Sequence, residues 1–363
     1  MKKTIKIESD NLISVLEPLL AVINPSHIVP ILQCVKIEVA KNEIMVTGDN
    51  HEVRCKNSTD IKSDEEIDFC VNFQLLLAAL KSIKNQEITI KIDLKIITII
   101  HKQGNFKIPL EDVVAYPEAQ VEKLKLKAEI NAKSLKTTLK IANKFIINND
   151  LEPMSNLSIE IGKKTTIRST NKISLFQETI KGGGDKANIL ISGKTSTAIY
   201  TLMDDEEDVL LKYNENMIFF KFGRKEVSAI QQSGNFPVQM FSKIIDTIDT
   251  AQTIEIDKDK LVTSIRRVST LSAKEKVQTI KLIFTKDNLN LSCNNLNSSS
   301  SVKEDLPIKF DGEFTIGFNS RLLIEVLSVF EKSAEFGIGK QNLFCIKEKK
   351  RKGLIAPVLL NEQ

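Results

Sequence analysis

Lys136, Lys140 and Lys144 recur one helical turn apart, while Leu135, Leu139, Ala142 and Ile146 fill the opposite face. A helix over this stretch carries a stripe of ammonium groups. Such rows, with no interleaved aromatic residues and no Trp anywhere in the chain, suit contact with phosphates rather than stacking on bases. The implied chemistry is sequence-independent attraction to a duplex. Further cations on helical patterns extend the candidate set to Lys81, Lys84, Lys133, Lys136, Lys140, Lys144, Lys260, Arg266, Arg267 and Arg321.

Catalytic patterns are absent by comparison. The three histidines, His27, His51 and His101, share no metal-ligand or nucleophile spacing, and no Gly-x-Ser-x-Gly or Walker pattern occurs. The run Lys181-Gly182-Gly183-Gly184-Asp185-Lys186 lacks the ending of a phosphate loop and reads as a flexible strand-to-strand turn. The acidic run Asp204 to Asp208 reads as a solvated turn, and Asn294 to Ser301 as a polar loop. Cys34, Cys55, Cys70, Cys293 and Cys345 contain no CxxC pair, which argues for buried free thiols in a reducing cytoplasm rather than zinc or disulfides. Neither a metal nor a cofactor is expected, and the chain is not expected to be an enzyme.

The elements that must position the cations repeat. KIESDNLISVLEPLL, EINAKSLKTTLKIAN and EIDKDKLVTSIRRVS share one pattern, in which Ile7, Leu12 and Leu16 recur as Ile130, Leu135 and Leu139 and again as Ile256, Leu261 and Ile265. A second helical pattern is marked by Leu80, Leu202 and Leu327, and a proline near each unit's end by Tyr116-Pro117, Phe236-Pro237 and Ala356-Pro357. Alternating runs such as IMVTGD, EITIKID and NMIFFKF lie between the helices as strands. The fold class is therefore α+β, with three similar domains over 1–123, 124–246 and 247–363, each holding two helices and several antiparallel strands. Charge follows this division. Residues 9–23, 132–146 and 258–272 carry −2, +4 and +3, and the second helices +2, +1 and 0, so the helices hold +8 in a chain of net +4. Strands and loops are left acidic.

Composition bounds the rest. The N-terminus reaches Lys6 and Glu8 before any apolar run develops, so no secretory signal is expected. The longest uncharged run, Pro18 to Val35, contains Pro25, Pro30, Asn24, His27 and Gln33, which excludes a spanning helix. A cytoplasmic location without membrane contact follows.

Three repeats of this size and order are similar to a known family. With Val29-Pro30-Ile31-Leu32, Val46-Thr47-Gly48-Asp49, Asn235-Phe236-Pro237, Ile316-Gly317-Phe318-Asn319 and the apolar end Leu354 to Leu360, the chain resembles the bacterial sliding clamps, the β subunits of DNA polymerase III. Pro18 falls where clamps commonly place a proline in the first helix. The resemblance implies a head-to-tail homodimer closed into a ring, with helices lining a hole around double-stranded DNA. It implies a processivity factor that tethers the DNA polymerase III catalytic subunit, is opened by a clamp loader complex, and serves other proteins bearing a clamp-binding motif.

By the same resemblance, partner peptides enter a pocket at Met154, Thr170, Lys172, Ile173, Pro237, Leu343, Leu354, Ala356, Pro357 and Val358, rimmed by Lys194, Asn319 and Leu322. The dimer interface has Phe106, Ile108 and Leu271 at its apolar centre, with Lys107, Glu304 and Asp305 as the nearby charges. Two departures stand out. Where clamps carry Thr-Asp-Gly followed by an aromatic or His and an Arg, this chain reads Thr170-Asn171-Lys172-Ile173, and the interface flanks read Gln103, Asn105 and a serine run. The depleted charge motivates an alternative, a monomeric clamp-like module that binds peptides without encircling DNA.

Overall fold

Helix starts are fixed by side-chain caps that recur along the chain. The computed structural model describes residues 3–118, 124–147, 153–203, 208–272, 278–295 and 300–360. Among them are seven α-helices: α1 Ser9–Leu16, α2 Phe73–Ser82, α3 Ala132–Ala142, α4 Gly193–Leu202, α5 Val238–Ile245, α6 Lys258–Val268 and α7 Ser320–Leu327. Asn72, Ser192 and Asn319 accept from the N–H of Leu75, Thr195 and Leu322 at 3.0, 3.0 and 3.1 Å, satisfying a donor that the first turn leaves orphaned. Asn131 and Asp257 do the same for Ser134 and Lys260, each at 3.0 Å. Only α1 among the repeated helices starts without a side-chain cap.

Three of the expected helices are shorter than their sequence pattern. α1, α3 and α6 each tighten into a 3-10 turn, over Glu17–Ala21, Asn143–Phe145 and Ser269–Ser272. Pro18 explains the first, because it has no N–H to return to the carbonyl of Ser14. The seventh helix, α5, was outside the six-helix expectation. It begins directly after Pro237, whose φ of −75° already suits a helix entry.

The described element order runs three times through a strand, a helix, a three-stranded meander, a strand, a second helix and three more strands, with one extra short strand, Gly182–Gly184, in the second repeat. Contacts gather the chain into two units: Met1–Thr137 with Ile161–Lys164 and Lys181–Gln232, and Thr138–Glu160 with Thr165–Ile180 and Ser233–Gln363. In the first unit, thirteen strands form one antiparallel sheet, and Val53–Asp60 of the first repeat pairs with Lys225–Ile230 of the second, Lys56 facing Glu226 and Cys55 facing Val227. In the second unit, Ser174–Ile180 pairs with Arg351–Ile355, Ser174 facing Ile355 and Glu178 facing Arg351. A separate four-stranded sheet there runs Ser300–Pro307, Asn288–Asn295, Thr279–Thr285, Phe314–Asn319.

The helix residues that mark the repeats are core, whereas Ile256 is half-buried and Pro357 exposed. Leu12, Leu16, Leu135, Leu139, Leu261 and Ile265 are at most 1% exposed, and so are Leu80, Leu202 and Leu327. Each such side chain removed from water contributes about 1.5–3 kcal/mol. Tyr116 is also buried and donates its hydroxyl to Thr47 O at 3.0 Å, tying the end of the first repeat to its sheet.

Two sequence expectations are corrected. Gly182–Gly184 is a strand paired with Leu126–Asn131 rather than a flexible turn. Three glycines are needed because the backbone is threaded between two others: a Cβ on Gly183 would meet Gly162 O at 2.1 Å, and one on Gly184 would meet Lys127 O at 2.1 Å. Asn294, Asn295, Ser300 and Ser301 belong to a paired hairpin, with Asn294 facing Ser301, rather than to a loop. Residues 296–299, 204–207 and the boundary residue Lys123 lie outside the described residues. We predict that Gly183→Ala lowers stability by about 1–3 kcal/mol through this backbone clash, read as a lower urea midpoint at unchanged m-value.

Candidate nucleic-acid and peptide interfaces

The lysine helix has the amphipathic face that its spacing requires. Leu135, Leu139 and Ala142 are buried on one side of α3, while Lys133, Lys140 and Lys144 are exposed; Lys136 is half-buried and has a partner. Thr138 is buried and donates to Glu178 Oε2 at 3.0 Å, which pins the helix to the strand beneath it. Lys84, Lys260, Arg266 and Arg321 are exposed as well. The remaining two candidates are already engaged: Lys81 Nζ sits 2.8 Å from Glu17 Oε1, and Arg267 grips Glu304 with its Nε at 3.0 Å. Charge counting by helix missed this, because Glu304 reaches Arg267 from a distant strand.

Backbone bonds in the second unit gather several of the expected peptide-pocket residues. Ala356 N–H donates to Ile173 O and Val358 N–H to Gly317 O, each at 2.8 Å, so the last apolar segment spans from the Ile173 turn to the strand Phe314–Asn319. Leu354, buried, stands beside Leu175 on the paired strands, and half-buried Leu343 immediately precedes Phe344, the cross-strand partner of Ile355. The 3-10 turn Pro153–Ser155 brings half-buried Met154 over the strand Thr165–Thr170, and Gly234 gives it room: a Cβ there would meet Pro153 Cγ at 2.7 Å. Pro237 leads into α5, which packs on Arg351–Ile355; α5 is the wall that sequence reasoning missed. Asn319 caps α7 through Leu322 N–H.

Apolar groups stay open to solvent here. Ile173 is 51% exposed, Met240 of α5 55% and Leu359 96%, a set that buries surface only when something covers it. Lys194 differs from the other pocket candidates: it lies in the first turn of α4, in the first unit.

Among the described strands that leave an edge open are the two that carry the interface candidates. Gly104–Glu111 meets Ile67–Asn72 only through Glu111 and Leu110, which leaves residues 104–109 unpaired on that side among the described residues. Ser300–Pro307 is the outer strand of its sheet. On the first edge Ile108 is buried, and half-buried Phe106 stacks on His101 with centroids 5.5 Å apart. The side chain of Leu271 lies outside the described residues. The expected acidic charges of the second edge are spent internally. Glu304 accepts from Ser264 Oγ at 2.7 Å besides Arg267, and Asp305 accepts from Asn288 and Asn290 at 2.9 and 3.1 Å. These bonds hold both carboxyls below the usual range, Glu304 chiefly through Arg267 and Asp305 through Asn288.

All five cysteines are buried free thiols, and burial pushes Cys34 and Cys345 to about 11 and Cys55 and Cys70 to about 12. A cavity in the first unit is lined by Asp49, Glu52 and Arg54. Its acids are taken: Asp49 by Arg54 at 2.6 Å, Glu52 by the hydroxyls of Ser192 and Thr195. No three His, Cys, Asp or Glu among the described residues are placed to hold a metal, and no described helix is long and apolar enough to cross a membrane.

Comparison with known proteins places these features in context. Residues 3–120 match the family model for the DNA polymerase III beta subunit, N-terminal domain, and 248–354 that for its C-terminal domain. A beta sliding clamp of Caulobacter vibrioides is 31% identical over 140 residues, 38% of this chain and 36% of that protein. One from Staphylococcus aureus is 22% identical over 364 residues, covering 94% and 95% of the two. Among solved structures, the DnaN sliding clamp of Bartonella birtlesii bound to griselimycin superposes with a TM-score of 0.90 at 18% identity, over 98% of this chain and all of that one.

The turn at Thr170–Ser174 shows how a lysine is held where the resemblance leads one to expect glycine. Lys172 adopts φ +70°, and Asn171 Oδ1 holds the turn by accepting from Ile173 N–H, Ser174 N–H and Ser174 Oγ. A side chain in this left-handed region costs roughly 1–2 kcal/mol, partly offset in glycine by its greater unfolded entropy. Lys172→Gly should therefore raise stability by about 0.5–1 kcal/mol in urea unfolding. Lys172→Ala, which keeps the Cβ, should not show this gain.

Proposed function

The chain belongs to the bacterial sliding-clamp family, the β subunits of DNA polymerase III, and from that membership we propose that it works as a homodimeric ring around duplex DNA. The observation that carries this reading is a pairing rule between repeats that leaves one strand at each end of the chain without the partner it gives the others. In each described junction between repeats, the last strand of a first meander pairs with the last strand of the next repeat: Val53–Asp60 with Lys225–Ile230, and Ser174–Ile180 with Arg351–Ile355. By the same rule the third repeat offers Ser300–Pro307 and the first offers Gly104–Glu111, each still open. One pairing rule therefore supports head-to-tail closure with a second copy, which makes both interfaces of the dimer equivalent. With Glu304 and Asp305 engaged internally, backbone pairing and apolar contact would hold that interface, with little charge steering.

On this reading the domains are 1–123, 124–246 and 247–363, and exposed lysines on the helices meet phosphates through long, solvated contacts that hold without fixing position. The chain acts by topology and catalyses nothing. The pocket around Ile173, Leu354 and Val358 receives the apolar anchors of partner peptides, from the polymerase catalytic subunit, the clamp loader and other motif-bearing proteins, in the bacterial cytoplasm.

Light scattering over a dilution series tests closure. A mass near twice 40.8 kDa that persists on dilution is expected, and a persistent 40.8 kDa species would overturn the ring. Deleting Val358 to Gln363 should abolish binding of a clamp-motif peptide while the chain stays folded, because the wall anchored at Gly317 O is lost. Unchanged peptide affinity would sink the pocket assignment.

A further inference from the structure

The repeated helices differ in how their positive charge is compensated. α1 carries acid and no base, Asp10 in its first turn and Glu17 just beyond its end. Since α1 packs on α2, Glu17 comes within 2.8 Å of Lys81, and Lys84 adds to the attraction that holds the Glu17 carboxyl below the usual range. The pair is solvated, with side chains 40% and 46% exposed. Such exposed pairs contribute little to stability, so the main consequence of Glu17 is the field it removes. On α3 and the 3-10 turn that ends it, the exposed Lys133, Lys140 and Lys144 make no ion pair among the described residues.

Resting on the clamp reading above, we propose that Glu17 is a built-in competitor for the phosphates that Lys81 and Lys84 would otherwise bind, so that α3 carries the larger share of duplex contact. A phosphate arriving at Lys81 must displace a carboxylate rather than only mobile counter-ions. The first repeat then adds little to counter-ion release, whereas every unpaired lysine of α3 adds its full share. An uneven lining keeps the total attraction low enough to slide.

The test is the salt dependence of affinity for a fluorescein-labelled blunt duplex, measured by anisotropy with the full-length protein. Each neutralised phosphate contributes roughly 0.9 to the log–log slope. The Lys133→Gln, Lys140→Gln, Lys144→Gln triple variant should lose about 2–3 of slope, and Lys81→Gln with Lys84→Gln less than about one. Glu17→Gln should tighten binding at low salt and steepen the slope by up to about one. An unchanged slope in Glu17→Gln, or equal losses from the two lysine sets, would overturn the proposal. A flat salt dependence in the unmodified protein would instead remove the clamp reading on which it rests. All these side chains are at the surface, and thermal unfolding of each variant confirms that the fold is retained.

Discussion

An unpaired strand edge is a row of backbone donors and acceptors that must find partners or be hidden. The architecture of this chain is organised by that constraint. Each repeat is too small to wrap its own edges, and the chain satisfies them by laying the last strand of one repeat against the meander of the one before, as Lys225–Ile230 does with Val53–Asp60. The same device at Ser174–Ile180 and Arg351–Ile355 fixes where the C-terminal segment emerges, because Ala356 and Val358 continue directly from that strand. The position of the candidate pocket is therefore tied to the junction.

The junction in the second unit is reinforced by a charged cluster. Arg351 donates to both oxygens of Glu178 at 3.1 Å and to Val329 O at 2.6 Å, while Thr138 of α3 shares Glu178. Arg351 and Glu178 expose only 15% and 16% of their side chains. A half-buried pair of this kind gains modest net energy, since desolvation opposes the attraction. Its geometry is selective all the same: a one-residue slip of Arg351–Ile355 would separate guanidinium from carboxylate and turn Leu354 away from the core. The cluster sets register, and register sets which side chains line the pocket.

What could be read from sequence was what is local or periodic. Leu12 and Leu16, with their counterparts in the other two repeats, were visible as core because one helical face needs residues four apart. The fates of Lys81 and Arg267 were not, since Glu17 and Glu304 reach them through tertiary packing that no spacing encodes. Gly182–Gly184 looked like a turn for the same reason: what excludes a Cβ there is Gly162 O and Lys127 O, contributed by other strands. The 3-10 ends of α3 and α6 and the start of α5 lie at element boundaries, where propensities are nearly balanced and packing decides. Pocket residues such as Pro357 and Val358 came from resemblance, not from any pattern of their own.

That resemblance survives an altered pocket sequence because the frame is made of backbone. Ile173 O and Gly317 O hold the C-terminal segment, the second at a glycine whose Cβ would meet Leu360 Cδ2 at 2.6 Å, and Asn171 braces the turn at Thr170–Ser174 through its side-chain Oδ1. Lysine is tolerated at φ +70° because three bonds to Asn171 over-determine the turn, so the strain is absorbed locally rather than relaxed by moving Ile173. Side chains at the rim are then free to change while the apolar floor keeps its position. On the proposed reading, such a frame keeps the anchor position fixed and leaves the flanking residues open to change.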